Sequence, residues 1–456
     1  MKKKYILNKL INLLAKILLL KKPLKIHKDN CELKCISVRR KRVRSFIMNA
    51  LCKKIYKCEP YFFQNTVFLR QKDFVVFDDF FPDTKSGWRY AEIDAYLKKI
   101  PRSACCTSGT ALKLMEKISN FDFYNIFSNE ISTYDKSGKS VFFYNGFVKS
   151  DKPFFAYCIF INNVLSFDFL SSIKMPFAFT LYPGGGMLLN TSECDRKLSR
   201  VFRSPYFRHV IVTQRVTYDY LIEKKLCPAE KITFIFGCPS LENMQQEVDA
   251  SSLKKYGRDK NVLEICFVAN KYSEYGEDKG YDVFVEMAKK LYQRHKNIKF
   301  HVVGYGFDEN TLDISELKPA INFYGLQCSD FFLKFYRDKD IICSPNKPFI
   351  LFPGAYDGFP LGTCCDAMSQ HVACFMSDEL KCNQGRYVNK VDAEILPPDA
   401  DAYAKKIEYY IDNPSKLIEM AENGAKKVKK FQSYEAEIAP RIDLMKKLIE
   451  EERICK

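Results

Sequence analysis

The stretch YDGFPLGTCCDAM, residues 356–368, decides how the rest of the chain is read. Asp357-Gly358-Phe359-Pro360-Leu361 has the glycine and proline of a loop, and Gly362-Thr363 opens a short helix of small and apolar residues. The first N–H groups of such a helix have no partner within it. Together with the helix dipole they suit an oxyanion. Asp366 falls about one turn into the helix, where a carboxylate accepts hydrogen bonds from two adjacent hydroxyls, as on a ribose. Asp357 precedes the loop, closer to a reacting group. The plainer reading makes Asp357 a turn residue and Asp366 a solvated helix residue, so the surrounding chain has to decide.

That chain alternates short apolar runs with amphipathic stretches. Strands are predicted at 74–77, 141–144, 154–160, 177–181 and 210–213. After a polar stretch at 241–260 they resume at 263–268, 299–303, 321–324, 341–343 and 373–376, with helices at 281–295, 329–337 and 362–369 between them. Strands alternating with helices of this length imply parallel sheets with helical crossovers. Two series imply two α/β domains. The tail from Ala400 reads as helix, restarted at Asn413-Pro414 with proline in the first helical position.

Two more strand ends carry candidate chemistry. Phe267-Val268-Ala269-Asn270-Lys271 closes one strand, and Asp278-Lys279-Gly280-Tyr281-Asp282 opens the next helix. A lysine and a helix N-terminus at the carboxyl edge of a parallel sheet make a phosphate site; a surface lysine satisfies the same spacing. The following strand ends Val303-Gly304-Tyr305-Gly306. A lone G-x-G there reads equally as a ligand loop or an ordinary tight turn.

In this order the elements resemble the donor-binding half of glycosyltransferase family 4 and its group 1 relatives: the Lys-Gly-x-Asp helix start, the G-x-G, NFYG at 322–325, DIICSP at 340–345 and DGFPLGTCCDAM. Upstream, Pro228-Ala229-Glu230-Lys231-Ile232 running into Phe236-Gly237-Cys238-Pro239 is similar to the family's bridge between domains. The match extends from about residue 205 to 435. The resemblance implies a GT-B fold, two Rossmann-like domains facing across a cleft, with a nucleotide-diphosphate sugar as donor. It gives Lys279 the donor diphosphate, Asp366 the nucleotide ribose and Asp357 a place beside the donor sugar. Backbone groups of Gly358, Phe359, Leu361, Gly362 and Thr363 would touch the sugar or diphosphate, and Gly304 would line the same site.

Three departures stand out. The family's paired glutamates are both aspartates here, with eight residues between them instead of seven. Asn270 occupies the position of the arginine that accompanies the lysine, with Lys271 beside it as a substitute cation. The segment 346–356 is longer than usual and rich in aromatic and aliphatic residues, as an acceptor lip would be.

The N-terminal half resembles the family's acceptor domain more loosely. By resemblance, the loop around Ser86, Gly87 and Arg89 reaches toward the diphosphate. Trp88, the chain's one tryptophan, reads equally as a sugar-stacking ring or a core anchor. Tyr182, before Gly184-Gly185-Gly186, stands where family members often carry histidine. His209 reads as structural; Arg208 and Gln214 are minor candidates. The expected domains are a basic segment at 1–58, an acceptor-side domain at 59–240, a donor-binding domain at 241–425 and a helical tail at 426–456.

Of 456 residues, 47% are hydrophobic and 28% charged, which excludes a disordered or collagen-like chain and a polytopic membrane protein. The net charge of +17 lies almost wholly in residues 1–58, which hold 18 Lys or Arg against two acids. The remainder is nearly neutral, so the basic average gives no reason to expect a nucleic-acid partner. Within the segment, YILNKLINLLAKILLL at 5–20 gathers Asn8, Lys9, Asn12 and Lys16 on one arc of a helix. An in-plane amphipathic helix keeps both ammonium groups wet, whereas a span would bury them at roughly 2.5–3.5 kcal/mol each. With Arg39-Arg40-Lys41-Arg42, this favours an anionic membrane surface over a single span or a helix packed on the body. The 18 cysteines show no framework spacing, as in a reduced cytosol. Cys31, Cys35, Cys52 and Cys58 lack C-x-x-C spacing and read as idle thiols before zinc ligands.

The expectation is therefore a peripheral enzyme on the inner face of the cell membrane. It transfers a hexose from a nucleotide sugar to a glycan or lipid-linked acceptor, as in capsule or lipopolysaccharide assembly. Retention follows from the resemblance. With no persuasive D-x-D motif, no metal is expected, and no permanently bound cofactor. A non-catalytic sugar-nucleotide-binding module of the same fold is the alternative. An epimerase-like enzyme would want a G-x-G-x-x-G near its first strand, which is absent.

Overall fold

The structure, a computed structural model, describes residues 67–69, 71–115, 120–144, 148–149, 154–167, 175–244, 246 and 248–454. The basic N-terminal helix and the Cys31, Cys35, Cys52 and Cys58 group lie outside the described residues. Among the described residues no helix is long and apolar enough to cross a membrane. The chain divides into two compact units, one running to Pro82 and including Arg102–Phe154, the other made of Asp83–Pro101 and Phe155–Lys456.

In the first unit, β1 (Phe74–Asp78), β2 (Ser103–Thr107) and β3 (Val141–Phe143) pair in parallel, in the order β3-β2-β1. Every residue of β1 and β2 is buried, as parallel strands covered on both faces require. The turn after β1 is held by Asp78, whose carboxylate accepts the N–H groups of Phe80 and Phe81 at 2.8 Å. Thr107 Oγ1 donates to the Phe81 carbonyl at 2.6 Å.

The second unit contains two parallel sheets. The smaller takes β4 (Phe155–Ile159), β5 (Phe177–Leu181), β6 (Phe207–Val212) and β7 (Ile232–Phe234) in sequential order. The helix α1 (Gly87–Lys99) belongs to this unit and turns Arg89, Glu92, Ile93 and Tyr96 inward. The larger sheet is built from β8 (Leu263–Val268), β9 (Ile298–Val303), β10 (Ile321–Phe323), β11 (Ile341–Ser344), β12 (Ala373–Met376) and β13 (Glu394–Ile395). Its order is β10-β9-β8-β11-β12-β13, parallel throughout. Alternate side chains of β8 feed different cores: Ile265 and Phe267 pack with Phe284 and Leu291, while Cys266 and Val268 pack with Cys364 and Met368. The order reverses between β8 and β11, and ligands of open α/β sheets sit outside the carboxyl ends of strands at such a point.

Helices complete this sheet and its surroundings, among them Ser329–Phe335 between β10 and β11. α2 (Tyr281–Arg294) and α3 (Gly362–Ser369) begin at its carboxyl edge, and α4 (Ala400–Asp412) and α5 (Pro414–Phe431) follow, with Pro414 at the first position as the sequence predicts. A π-helical turn, Tyr434–Ile438, leads into α6 (Ala439–Ile454). The tail returns to the smaller sheet, where Glu452 pairs with Arg208 and Arg441 reaches Tyr182.

Candidate active site

A cleft of about 680 Å³ lies within the second unit. One wall comes from the loops after β8 and β11 and from the start of α3. The other comes from Trp88, Phe160, Tyr182 and the Gly184–Gly186 turn.

Lys279 ends a 3-10 turn, Glu277–Lys279, immediately before α2. Its ammonium meets both carboxylate oxygens of Asp357, at 2.7 and 2.6 Å. Asn346, just beyond β11, donates to Asp357 Oδ2 at 2.6 Å and is itself positioned by Ser344 at 2.9 Å. Tyr272 lies under the ammonium, ring centre 5.2 Å away. Burial opposes the lysine's charge, but Asp357 outweighs it, and the Lys279 pKa stands above the ordinary lysine value. The lysine is therefore a fixed cation.

α3 begins after Leu361 without a side-chain cap. The backbone donors of its first turn are thus not claimed by a capping side chain. Gly358, Leu361 and Gly362 line the cleft. Phe359 points inward against Tyr387, and its N–H is taken by Gln214 Oε1 at 3.2 Å, so the loop is fastened to the facing wall. Thr363 Oγ1 donates to the Val268 carbonyl at 3.4 Å.

The remaining donor-side candidates sit elsewhere. Asp366 accepts from Ser240 Oγ at 2.6 Å, and burial pushes its carboxyl up to about 6; it is not among the cleft-lining residues. Asn270 accepts the Tyr305 N–H at 2.9 Å, clamping two strand-end loops together. Lys271 donates to the Glu274 carbonyl at 3.2 Å in its own loop. Gly304 has φ +136°, and a Cβ there would lie 1.6 Å from the Ala269 carbonyl oxygen. The G-x-G is thus a close crossing of two loops, which only glycine permits.

On the facing wall, Trp88 and Tyr182 lie with ring centres 4.4 Å apart, and Trp88 and Phe160 5.7 Å apart. Arg89 stacks over Phe160 at 5.0 Å, behind the wall, and Gly87 starts α1 close to Leu241 and Ser329. Neither lines the cleft. Tyr182 shows its ring to the cleft and sends its hydroxyl inward, donating to Glu92 Oε2 at 2.7 Å and accepting from Arg441 at 3.3 Å. Burial drives that hydroxyl well above the ordinary tyrosine value, against the pull of Arg441. Arg441 also donates to Glu437 at 2.6 Å, and Tyr96 and Tyr157 complete the Glu92 cluster. The Glu92–Glu437–Arg441 network is missed by motif reading. Its trace is Arg89, Glu92 and Tyr96 recurring at helical spacing on the face of α1 that also carries Ile93.

His209 is structural, as expected: it bonds Thr233 at 2.8 Å, and burial lowers its pKa to about 4. Arg208 is engaged with Glu452. Gln214 lines the cleft and holds the Phe359 loop.

Comparison with solved structures places the fold. Anabaena HepE in complex with UDP superposes with a TM-score of 0.57 at 12% identity, over 83% of this chain and all of that one. Sucrose-phosphate synthase from Thermosynechococcus elongatus gives 0.58 at 13%, over 83% and 100%. A glycosyltransferase from Rickettsia africae gives 0.55 at 15%, over 83% and 99%. No curated protein matches the sequence. The fold is GT-B, as the sequence implies. Residues 250–427 match the family model for glycosyl transferases group 1.

Proposed function

We propose that this protein transfers a sugar from a nucleotide-diphosphate donor to a glycan or lipid-linked acceptor. One observation carries the reading: Lys279 and the uncapped N-terminus of α3 line one cleft at the switch point of the larger sheet. Departure of a nucleoside diphosphate leaves negative charge on the pyrophosphate oxygens. A fixed ammonium and preoriented N–H groups stabilise that charge without reorganising. Lys279 has three N–H donors, so it can keep its bond to Asp357 while meeting a phosphate oxygen. Asp357 thereby holds the lysine both charged and aimed.

The transfer is metal-independent in this reading, since the cation is supplied by the chain. Retention of configuration rests on the family resemblance. The basic segment 1–58 keeps the enzyme on the cytoplasmic face of an anionic membrane, where a lipid-linked acceptor is found.

A thermal-shift screen of UDP, GDP, ADP and their sugar conjugates, with and without EDTA, tests the donor site. One nucleotide class should raise the melting temperature equally in both conditions, by the equivalent of about 2.7 kcal/mol at a hundredfold excess over Kd. No shift with any nucleotide would remove the enzyme reading. A shift lost in EDTA would remove metal independence.

A further inference from the structure

The loop between β11 and α3 displays apolar side chains to solvent. Eleven large apolar or aromatic side chains are exposed among the described residues, and three fall within four positions: Phe349 at 45%, Ile350 at 51% and Phe352 at 60%. Exposed apolar side chains scattered singly need no explanation, but a contiguous group beside a cleft does. Leu351 and Phe352 line the cleft itself.

This display is built into the loop. Phe349 has φ +68°, a conformation costly for a bulky residue and found where surrounding structure enforces it. Its N–H is held by the Ala355 carbonyl at 2.6 Å. The loop is fastened on both sides of the cleft. Lys347 pairs with Asp282 at 2.6 Å on the donor side. On the other side the Gly354 carbonyl accepts the Leu189 N–H at 2.8 Å, and Tyr356 bonds Thr217 at 2.5 Å. A Cβ at Gly354 would lie 2.1 Å from the Leu189 carbonyl oxygen, so the crossing depends on glycine. A loop pinned to its surroundings at three points and still presenting Phe349, Ile350 and Phe352 to solvent is a preformed apolar surface continuous with the cleft.

We propose that this lip binds the apolar chain of an amphiphilic acceptor, holding its sugar or hydroxyl head in the cleft. The inference rests on the glycosyl-transfer reading and narrows its acceptor to molecules with an alkyl or polyprenyl portion. The lip discriminates by chain length, because each methylene laid against it leaves water.

Trp88, the chain's one tryptophan and a cleft-lining residue, reports occupancy by its fluorescence. The full-length protein is titrated with octyl and decyl glucoside as monomers. Affinity should rise about tenfold from octyl to decyl, near the limit for two buried methylenes. In the double variant Phe349→Ser/Ile350→Ser, neither of which lines the cleft, the two glucosides should bind alike, with the thermal shift of the nucleotide that stabilises the wild type unchanged. Equal affinities in the wild type would overturn the proposal, as would a double variant that keeps the increment. If the double variant loses that nucleotide shift through misfolding, Ile350→Ser alone decides: the increment must fall by at least half. Loss of binding to phosphatidylglycerol vesicles with the increment intact would assign the lip to the membrane and overturn the acceptor site. Absence of any nucleotide shift in the wild type strikes the glycosyl-transfer reading, separately from the chain-length result.

Discussion

On one wall of the cleft, Lys279 and Asp357 meet at its surface, with side chains 10% and 32% exposed. On the opposite wall, Arg441, Glu92 and Glu437 stand behind Tyr182 and are 1% exposed or less. The same kind of ion pair does different things in the two places. At the first wall the charge faces the cleft. Behind the opposite wall it is out of a ligand's reach and fixes the angle of an aromatic ring. One wall acts by electrostatics and the other by shape.

Substitutions can break that contrast. Arg441→Leu should have the largest effect. It leaves two buried carboxylates without their cation, at a cost of about 3–5 kcal/mol, to be read by chemical denaturation. Nucleotide binding per folded molecule should survive it. A variant as stable as wild type would show that the buried network contributes nothing net. Lys279→Ala should do the opposite: little change in unfolding, and about 10²–10³-fold less transfer with a weakened nucleotide shift. Transfer within tenfold of wild type would leave Lys279 only a structural partner of Asp357.

The smallest effect sharpens the comparison through pH. Burial raises the Asp366 pKa in the folded chain to about 6, above its unfolded value near 3.8. Between these values the folded state binds the extra proton, so stability falls as pH rises from about 4 to 6. Asp366→Asn should remove that part of the decline, about 1–3 kcal/mol across the window, in denaturation curves at pH 4.5 and 7. Identical pH slopes in both proteins would show that Ser240 fully offsets the burial.

Much of this was legible in the amino-acid order. Strands such as 177–181 and 263–268 are apolar runs bounded by turn residues, and they form where predicted. Gly362–Ser369 is a helix as read. The strand Ser103–Thr107 escaped because SACCT has little β-branched or aromatic character; its position between two neighbours makes it a strand. Glu394–Ile395 is too short to show a period.

At the site, residue types were legible and pairings were not. Lys279 and Asp357 each stood out, but nothing local announces a bond across 78 positions. Asn270 and Gly304 occupy motif positions and hold loops together. The Arg441 cluster carries no motif, since its partners come from α1, β5 and the π-helical turn, which meet only in the folded chain.

The bond from Arg441 to Tyr182 spans 259 positions. During synthesis Tyr182 leaves the ribosome long before the guanidinium that donates to its hydroxyl exists. The aromatic wall therefore takes its final setting only when the last helix arrives. A chain stopped after α5 would hold Lys279, Asp357 and the start of α3 and still lack a finished aromatic wall.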